Sequence, residues 1–214
     1  MTPRAASFPR LLWITPERGP IEAMVEAAHA GLPGGCVLLL RRPGLSAAML
    51  FDEARRFART SVPLLISARV DVAMAAGAAG MHLPERGHAP EEVRALWPDA
   101  LIGVSRHDRA GFAQVEGADY ATLSPFAPTP GKGPALPLET FRQAVEASPI
   151  PVLALGGVHA GNTEAALRAG AQGIAFIRAA QAVDPAAMRA AVIEMSEQIR
   201  AISRELDPAS NLGE

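Results

Sequence analysis

The chain has 214 residues and a net charge of −2, with 49% hydrophobic and 20% charged residues. This composition excludes a disordered or fibrous protein, and the length suits one buried core rather than two domains of usual size. Acidic and basic residues are interspersed, so no basic surface is expected for nucleic acid or an anionic membrane. We therefore expect a single domain over residues 1–214, with frayed ends at 1–9 and 207–214.

The cellular compartment follows from what the sequence lacks. No apolar stretch approaches the ~18 residues of a membrane helix, and the proline-containing start has no apolar signal-peptide core. The lone cysteine, Cys36, lies in the apolar run Cys36–Leu40 and has no cysteine to pair with in the chain. It is expected to be a buried small hydrophobe in a cytoplasmic protein.

Eight short apolar runs alternate with Ala/Glu/Arg-rich stretches of helical spacing. Each run has four to six residues, the length of a buried parallel strand: Leu11–Thr15, Cys36–Leu40, Pro63–Ser67, Gly80–Leu83, Leu101–Ser105, Tyr120–Ser124, Val152–Gly157 and Gly173–Ile177. The segments between them place apolar residues on one helical face, as in Ile21, Met24, Val25 and Ala28. Eight such units predict an α/β fold, a closed (β/α)8 TIM barrel.

A repeated glycine pattern supports the barrel. Ala76–Leu83 and Ala169–Phe176 share one arrangement, and Gly117–Tyr120 is a shorter copy. In each, a glycine can adopt the left-handed conformation that ends a helix before the next strand begins. The alternative is an open doubly wound sheet, which uses similar loops but accommodates eight small units less well.

In such a barrel, function is carried by the loops that follow the strands. After strand 7 come Gly156 and Gly157, whose backbone N–H groups could approach an anion, and Asn162 is a candidate helix cap. Arg178 follows strand 8, so loops 7 and 8 predict a phosphate site. The alternative is a tight turn that needs small residues only for packing.

The loop after strand 6 is the longest irregular stretch, and Thr129 and Lys132 are its polar members. Lys132 is the one lysine among the 20 basic residues, in a chain that otherwise uses arginine. A compact ammonium is not replaceable by a guanidinium where it meets a phosphate, which favours a functional role for Lys132. The alternative is that a single lysine survived there by chance.

Two further strand ends carry polar side chains. Ser105 and His107 follow strand 5 as hydrogen-bonding or acid/base candidates, unless Ser105 caps the next helix and His107 lies on its first turn. Arg41, at the end of strand 2, is expected to place a cation at the barrel mouth. Glu17 is the best-placed carboxylate, either for chemistry or to hold a neighbouring arginine.

The remaining histidines and any metal site are expected to contribute little. His82 is expected to be a near-core histidine, and no histidine or carboxylate spacing suggests a metal. We expect no cofactor.

The motifs resemble those of the thiamine phosphate synthase/TenI family from Leu11 to about Ala180. The resemblance is carried by Trp13–Arg18, Leu40-Arg41, Arg69–Ala73, Gly80–Leu83, Gly103–Ser105, Ala118–Tyr120, Pro128–Lys132 and Ala154–Val158. It implies a TIM barrel in which Arg41, Ser105, Thr129 and Lys132 line the ligand site. It further implies that Gly156, Gly157 and the residues around Arg178 hold a thiazole phosphate.

The sequence departs from the synthase pattern at the positions that handle diphosphate and magnesium. Strand 2 of the synthases runs Gln-Leu-Arg-Glu-Lys, whereas here it runs Leu39–Pro43. Their strand 3 ends Asn-Asp, whereas here the pair is Ser67 and Ala68, and Gly87 replaces a second magnesium aspartate. A diphosphate leaving group needs its charge neutralised, so the resemblance favours a TenI-like protein over an authentic synthase.

The expected function is thus a metal-independent thiazole tautomerase that binds a phosphorylated thiazole. The histidine to which proton transfer is attributed in TenI-like proteins is replaced by Pro125, which leaves His107 or Glu17 as substitutes. The alternatives are a divergent thiamine phosphate synthase, a non-catalytic protein that binds thiazole or thiamine phosphate, and an unrelated phospho-sugar isomerase on the same barrel. A homodimer is the assembly expected, if the chain associates at all.

Overall fold

The computed structural model describes residues 8–57, 59–129, 133–178 and 184–206. Eight parallel strands close into a barrel in sequence order, from β1 next to β2 round to β8 next to β1. The strands are β1 (Leu11–Ile14), β2 (Cys36–Leu40), β3 (Leu64–Ser67), β4 (Gly80–Leu83), β5 (Leu101–Arg106), β6 (Tyr120–Leu123), β7 (Val152–Leu155) and β8 (Gly173–Phe176). The predicted TIM barrel is confirmed, with strand ends shifted by at most two residues.

Helices cover the outside of this barrel. The α-helices are α1 (Glu22–His29), α2 (Ala47–Phe57), α3 (Val70–Ala75), α4 (Pro90–Leu96), α5 (Leu138–Glu146), α6 (Ala160–Arg168) and α7 (Pro185–Leu206). A short 3-10 helix, Ala110–Gln114, lies between β5 and β6, where the sequence predicted a helical segment without specifying the type of helix. None of the helices in the described ranges is long and apolar enough to cross a bilayer.

Alternation along each strand creates two cores. Leu12, Val37, Leu65, Tyr120 and Leu153 fill the barrel interior, while their strand neighbours pack outward against the helices. Among the outward residues, the rings of Trp13 and Phe176 stack at 6.3 Å where β1 meets β8. Burial of the side chains in these two layers stabilises the closed barrel, which holds the carboxyl end of each strand in a fixed orientation.

The glycines that were predicted to end helices do so. Gly77, Gly117 and Gly170 have φ values of +65°, +83° and +99° at the turns that lead into β4, β6 and β8. Cys36 is also buried as expected, and burial raises the pKa of its thiol to about 12. A thiol in that state is protonated at neutral pH and does not act as a nucleophile.

Candidate functional site

A cavity of about 200 Å³ opens at the carboxyl ends of the strands. Its walls differ in character. An apolar side is provided by Ile14, Leu39 and Leu155, from β1, β2 and β7, and by Ile177, which directly follows β8. Hydroxyl and charged groups from the other strand ends complete the lining, namely Glu17, Arg41, Ser67, His82, Glu85, Ser105, His107 and Ser124 together with Pro84.

Larger clefts lie elsewhere on the surface. One of about 360 Å³ lies on the outside of the barrel, lined by residues of α1 and α2 and by Arg59. Another of about 340 Å³ lies at the opposite end of the barrel, around Phe8, Pro33 and Cys36. We place the functional site in the smaller cavity, because polar side chains from several strands converge only where parallel strands end.

Four of the predicted site residues line this cavity, namely Glu17, Arg41, Ser105 and His107. Arg41 donates from Nη1 to Oε1 of Glu17, so the carboxylate holds the neighbouring arginine, as one of the two expectations for Glu17 proposed. The backbone amide of Arg41 donates to Oγ1 of Thr15 over 2.8 Å, which joins the end of β2 to the end of β1. Glu17 and Arg41 therefore form one charged edge of the cavity.

His107 forms the facing edge. Its Nδ1 lies 2.9 Å from Oε2 of Glu85, which belongs to the loop after β4. Because strands β1 and β5 are four places apart in an eight-stranded barrel, Glu17 and His107 follow diametrically opposed strands. His107 precedes the 3-10 helix Ala110–Gln114 rather than lying on it, so the first-turn alternative for His107 is wrong. Likewise Ser105 lies within β5 and does not cap a helix.

The floor of the polar side is a buried hydrogen-bonded chain. His82 accepts or donates at Nδ1 with the Tyr120 hydroxyl, 3.1 Å away, and at Nε2 with Ser105 Oγ, 3.0 Å away. Burial, with the positive charges of Arg106 and Arg41, lowers the pKa of His82 to about 3. His82 is thus the satisfied near-core histidine expected, and it also lines the cavity.

The turn after β7 contains two consecutive glycines in the left-handed backbone region. Gly156 and Gly157 have φ values of +90° and +66°. A Cβ on Gly156 would lie 2.9 Å from Cα of Pro125, and one on Gly157 would lie 2.8 Å from Cβ and O of Ala127. Small residues are therefore needed here for packing against the β6 loop, whatever the turn binds.

The backbone of this turn is held from both sides. The amide of Phe126 donates to the carbonyl of Leu155 over 2.8 Å, and that of Ala127 donates to the carbonyl of Gly156 over 2.9 Å. The side-chain amide of Asn162 donates to the carbonyl of Gly157 over 2.9 Å. Within the described ranges, the amides of Gly156 and Gly157 donate no hydrogen bond, which leaves them oriented by the turn alone.

The helix cap differs from the prediction. The N-cap of α6 is His159, whose Nδ1 accepts from the amide of Gly161 over 3.1 Å. Asn162 is the third residue of the helix, and its Oδ1 accepts from the amide of His159 over 2.9 Å. The prediction that Asn162 is the cap is wrong in position, because Asn162 completes a capping box from inside the helix.

Other predicted residues lie beside the cavity or outside the described ranges. Thr129 donates to the carbonyl of Ala127 over 3.0 Å and adjoins Gly156 rather than the cavity. Arg178 is exposed just after β8. Lys132 lies outside the described residues. Arg42, beside Arg41, has a largely buried side chain that donates to the carbonyls of Pro16 and Gly19 and to Oε1 of Glu53.

The resemblance to the thiamine phosphate synthases implies magnesium as the metal that would bind at the entrance of this cavity. Ser67 offers one hydroxyl at the cavity, while Ala68 and Gly87 offer no side-chain donor. The carboxylates of Glu17 and Glu85 are engaged by Arg41 and His107. Across the described residues, no three His, Cys, Asp or Glu side chains gather in a way that could hold a metal. This donor set does not fit magnesium, which prefers several oxygen ligands.

Sequence reasoning missed Glu85, Ser67 and Ser124 as cavity residues. Glu85 follows a buried strand by two residues, so the rule used for the other strand ends would have found it. The contact of His82 with Tyr120 could not be found, because it requires Gly103 on the intervening strand. A Cβ at position 103 would lie 2.2 Å from Cζ of Tyr120 and 2.5 Å from Nδ1 of His82.

The sequence of this barrel is similar to those of known thiamine phosphate synthases. A family model described as thiamine monophosphate synthase matches residues 11–180. A putative thiamine-phosphate synthase of Geobacter sulfurreducens is 41% identical over 167 residues, 73% of this chain and 78% of the relative. The thiamine-phosphate synthase of Chloroflexus aurantiacus is 34% identical over 192 residues, 84% of each chain.

A solved structure agrees with these relatives. The thiamine phosphate pyrophosphorylase of Pyrococcus furiosus superposes with a TM-score of 0.77 at 26% identity, covering 90% of this chain and 96% of that one. With strands β1 to β8 and the cavity at their carboxyl ends within the matched region, the chain belongs to the thiamine monophosphate synthase family.

Proposed function

We propose that this family member is a metal-independent isomerase that moves a proton on a phosphorylated thiazole, that is, a thiazole tautomerase. The observation that carries the proposal is the placement of Glu17 and His107 on opposed strand ends of one cavity. A glycine turn suited to a phosphate lies beside that cavity, and the residues at the expected metal positions lack the ligands that magnesium prefers.

An isomerisation of this kind needs one group to take a proton and another to return one. No electron is transferred and no group leaves, so the step needs no oxidant or reductant and no charge neutralisation of a leaving group. His107 engages Glu85 through Nδ1, which leaves Nε2 for the substrate. The Glu17 carboxylate is held by Arg41 on the edge of the cavity that faces His107. Proton transfer by positioned side chains of this type typically contributes ~10²–10⁴-fold to a rate.

The phosphate group of the substrate is assigned to the turn after β7. The positive φ values of Gly156 and Gly157 turn their amides out of the strand direction, and the helix α6 begins three residues later. Helix N-termini and exposed amides favour anions. Arg178, exposed after β8, supplies a guanidinium from the neighbouring strand end.

Thiamine phosphate synthesis is the second candidate, and the names of the 34–41% identical relatives favour it. The donor set at Ser67, Ala68 and Gly87 argues against it, because a diphosphate leaving group needs neutralising charge that these residues do not provide. The isomerase requires only the acid/base groups of the cavity and the glycine turn beside it.

A pair of assays on the purified chain separates the candidates. In the first, a phosphorylated thiazole carboxylate is followed by NMR in the presence of EDTA, and tautomer conversion above the uncatalysed rate is expected. In the second, thiazole phosphate, a pyrimidine diphosphate and magnesium are supplied, and no thiamine phosphate is expected. Thiamine phosphate formation without tautomer conversion would replace the proposal by the second candidate. Thermal stabilisation by the thiazole phosphate with neither turnover would instead indicate a binding protein.

A further inference from the structure

Three polar side chains on neighbouring strands form a continuous hydrogen-bonded chain that ends in the cavity. Tyr120 on β6 is fully buried, His82 on β4 is 4% exposed, and Ser105 on β5 lines the cavity. The Tyr120 hydroxyl lies 3.1 Å from Nδ1 of His82, and Nε2 lies 3.0 Å from Ser105 Oγ. The chain is therefore Tyr120, His82, Ser105, from the core to the ligand space.

The ring of His82 is neutral across the physiological range, because burial and two nearby arginines keep its pKa at about 3. A neutral imidazole has one N–H donor and one bare acceptor nitrogen. Only two arrangements therefore satisfy both contacts. Either Tyr120 donates to Nδ1 and Nε2–H donates to Ser105, or Ser105 donates to Nε2 and Nδ1–H donates to Tyr120.

The tyrosine decides between them. Burial and the nearby charge of Asp119 raise the pKa of Tyr120, so its hydroxyl keeps its proton. In the second arrangement that proton would need another acceptor, and among the described residues the hydroxyl has no hydrogen-bond partner besides His82. A fully buried O–H without an acceptor is strongly disfavoured. The first arrangement leaves no buried donor unsatisfied.

We propose that Tyr120 and His82 fix Ser105 as a hydrogen-bond donor to the ligand, so that the bound molecule presents an acceptor atom to β5. With Nε2–H directed at Oγ, the hydroxyl proton of Ser105 turns toward the cavity. A phosphorylated thiazole offers such an acceptor in its unprotonated ring nitrogen. This ligand assignment rests on the proposed function, whereas the direction of the hydrogen-bonded chain does not.

Thr122 gives a matched control. It pairs with Ser105 in the β5–β6 register and is 1% exposed. Its Oγ1 has no hydrogen-bond partner among the described side chains and backbone. Thr122→Val therefore removes a hydroxyl next to Ser105 without touching the chain from Tyr120 to the cavity.

The donor-to-acceptor direction of the hydrogen bonds from Tyr120 to Ser105 is read from the tautomer of His82. It is measured in the unliganded protein by ¹⁵N NMR of histidine-labelled wild type. The signal of His82 is assigned as the one that is missing from the spectrum of the His82→Gln variant. Proton on Nε2 and a bare Nδ1 are expected. A proton on Nδ1 would overturn the proposal, since Ser105 would then be held as an acceptor.

The ligand class is read from a pair of probes, thiazole phosphate and its thiophene analogue, in which the ring nitrogen is replaced by CH. Ser105→Ala should weaken binding of thiazole phosphate by roughly three- to tenfold, the worth of one neutral hydrogen bond, and leave the thiophene unchanged. Thr122→Val should change neither. Equal weakening of both probes by Ser105→Ala would contradict the donor role. If neither probe binds the wild type, the proposed function fails, and the tautomer alone decides the direction of the chain.

Discussion

Nδ1 of His107 and Oε2 of Glu85 lie 2.9 Å apart, joining the loops that follow β5 and β4. Both side chains line the cavity at the strand ends. A carboxylate on one ring nitrogen orients the ring and directs the other nitrogen to a substrate. The pair therefore prepares His107 for proton transfer at Nε2.

Removing either member of this pair should slow isomerisation. We expect His107→Asn to lower kcat by about 10²-fold or more, and Glu85→Gln to lower it less, because the glutamine oxygen can still accept from Nδ1. Steady-state kinetics on the phosphorylated thiazole measures both. His88→Asn, which changes an exposed histidine in the loop after β4, is the matched control. An unchanged kcat in His107→Asn would remove His107 from the mechanism.

The turn after β7 is expected to be intolerant of a side chain. Gly157→Ala introduces a Cβ 2.8 Å from Ala127 at a φ of +66°, so strain and collision add. Gly77 has a φ of +65° with no atom within 4 Å of a Cβ, so Gly77→Ala carries the strain alone. We expect Gly77→Ala to lower the free energy of unfolding by about 1 kcal/mol and Gly157→Ala to lower it further.

The two glycine variants also separate packing from binding. Only Gly157→Ala should weaken binding of thiazole phosphate, measured by calorimetry. If both variants bind it as tightly as wild type, the phosphate is bound elsewhere, and the glycine pair serves packing alone.

Ala68 occupies an unfavourable backbone conformation at the end of β3. Its φ is +64°, in the left-handed region that alanine rarely adopts, and its amide donates to the carbonyl of His82 over 3.1 Å. Ala68→Gly should raise the free energy of unfolding by about 0.5–1 kcal/mol, since relieved strain exceeds the entropy that glycine adds to the unfolded chain. Urea unfolding measures the difference.

A helical alanine supplies the control for that variant. Ala190 is exposed within α7, where glycine is disfavoured. Ala190→Gly should therefore lower the free energy of unfolding by about 1 kcal/mol, the opposite sign. A destabilised Ala68→Gly would mean that contacts of the methyl group outweigh the strain.

Acid should weaken the fold through His82. The pKa of His82 is lowered from 6.5 to about 3 by burial and by Arg106 and Arg41, so between these values the unfolded chain binds a proton that the native state does not. The stability contributed by neutral His82 is thus present above pH 6.5 and is lost as pH falls toward 3. The slope approaches about 1.4 kcal/mol per pH unit for one such group.

The comparison that isolates this effect is wild type against His82→Gln. The side chain of glutamine also combines a donor group, its NH₂, with an acceptor group, its carbonyl, but it does not titrate. Urea unfolding from pH 7 to pH 4.5 should show the stability of wild type falling more steeply than that of the variant. Parallel pH profiles would show that other groups account for the acid sensitivity.

The fold was predictable because its signals are local and repeated. Eight apolar runs of strand length and the glycines at positions 77, 117 and 170 report burial and turn geometry within a few residues. The 3-10 helix at Ala110–Gln114 was not distinguishable, because Gly111 and Phe112 suit either helix type. Arg106, which donates to the carbonyls of Gly111 and Gln114, holds that segment through a contact that no short pattern reveals.

The location of the site was predictable from the sequence, whereas the hydrogen bonds between its residues were less so. The sequence identified Glu17, Arg41, Ser105 and His107 because each lies at or just after the carboxyl end of an apolar run, and the barrel brings these strand ends together. The partners of these residues depend on register between strands. His82 reaches Tyr120 across Gly103, a contact set by the offset of β4, β5 and β6 rather than by any spacing in the sequence.

Solvent-proton exchange shows whether this chain isomerises a phosphorylated thiazole without metal. Wild-type protein is incubated with the phosphorylated thiazole carboxylate in deuterated buffer containing EDTA, and deuterium entering the substrate is followed by NMR. Deuterium incorporation well above the enzyme-free rate is expected for wild type, and it should be lost in the double variant Glu17→Gln/His107→Asn. Incorporation at the enzyme-free rate, together with magnesium-dependent formation of thiamine phosphate by the same preparation, would contradict it.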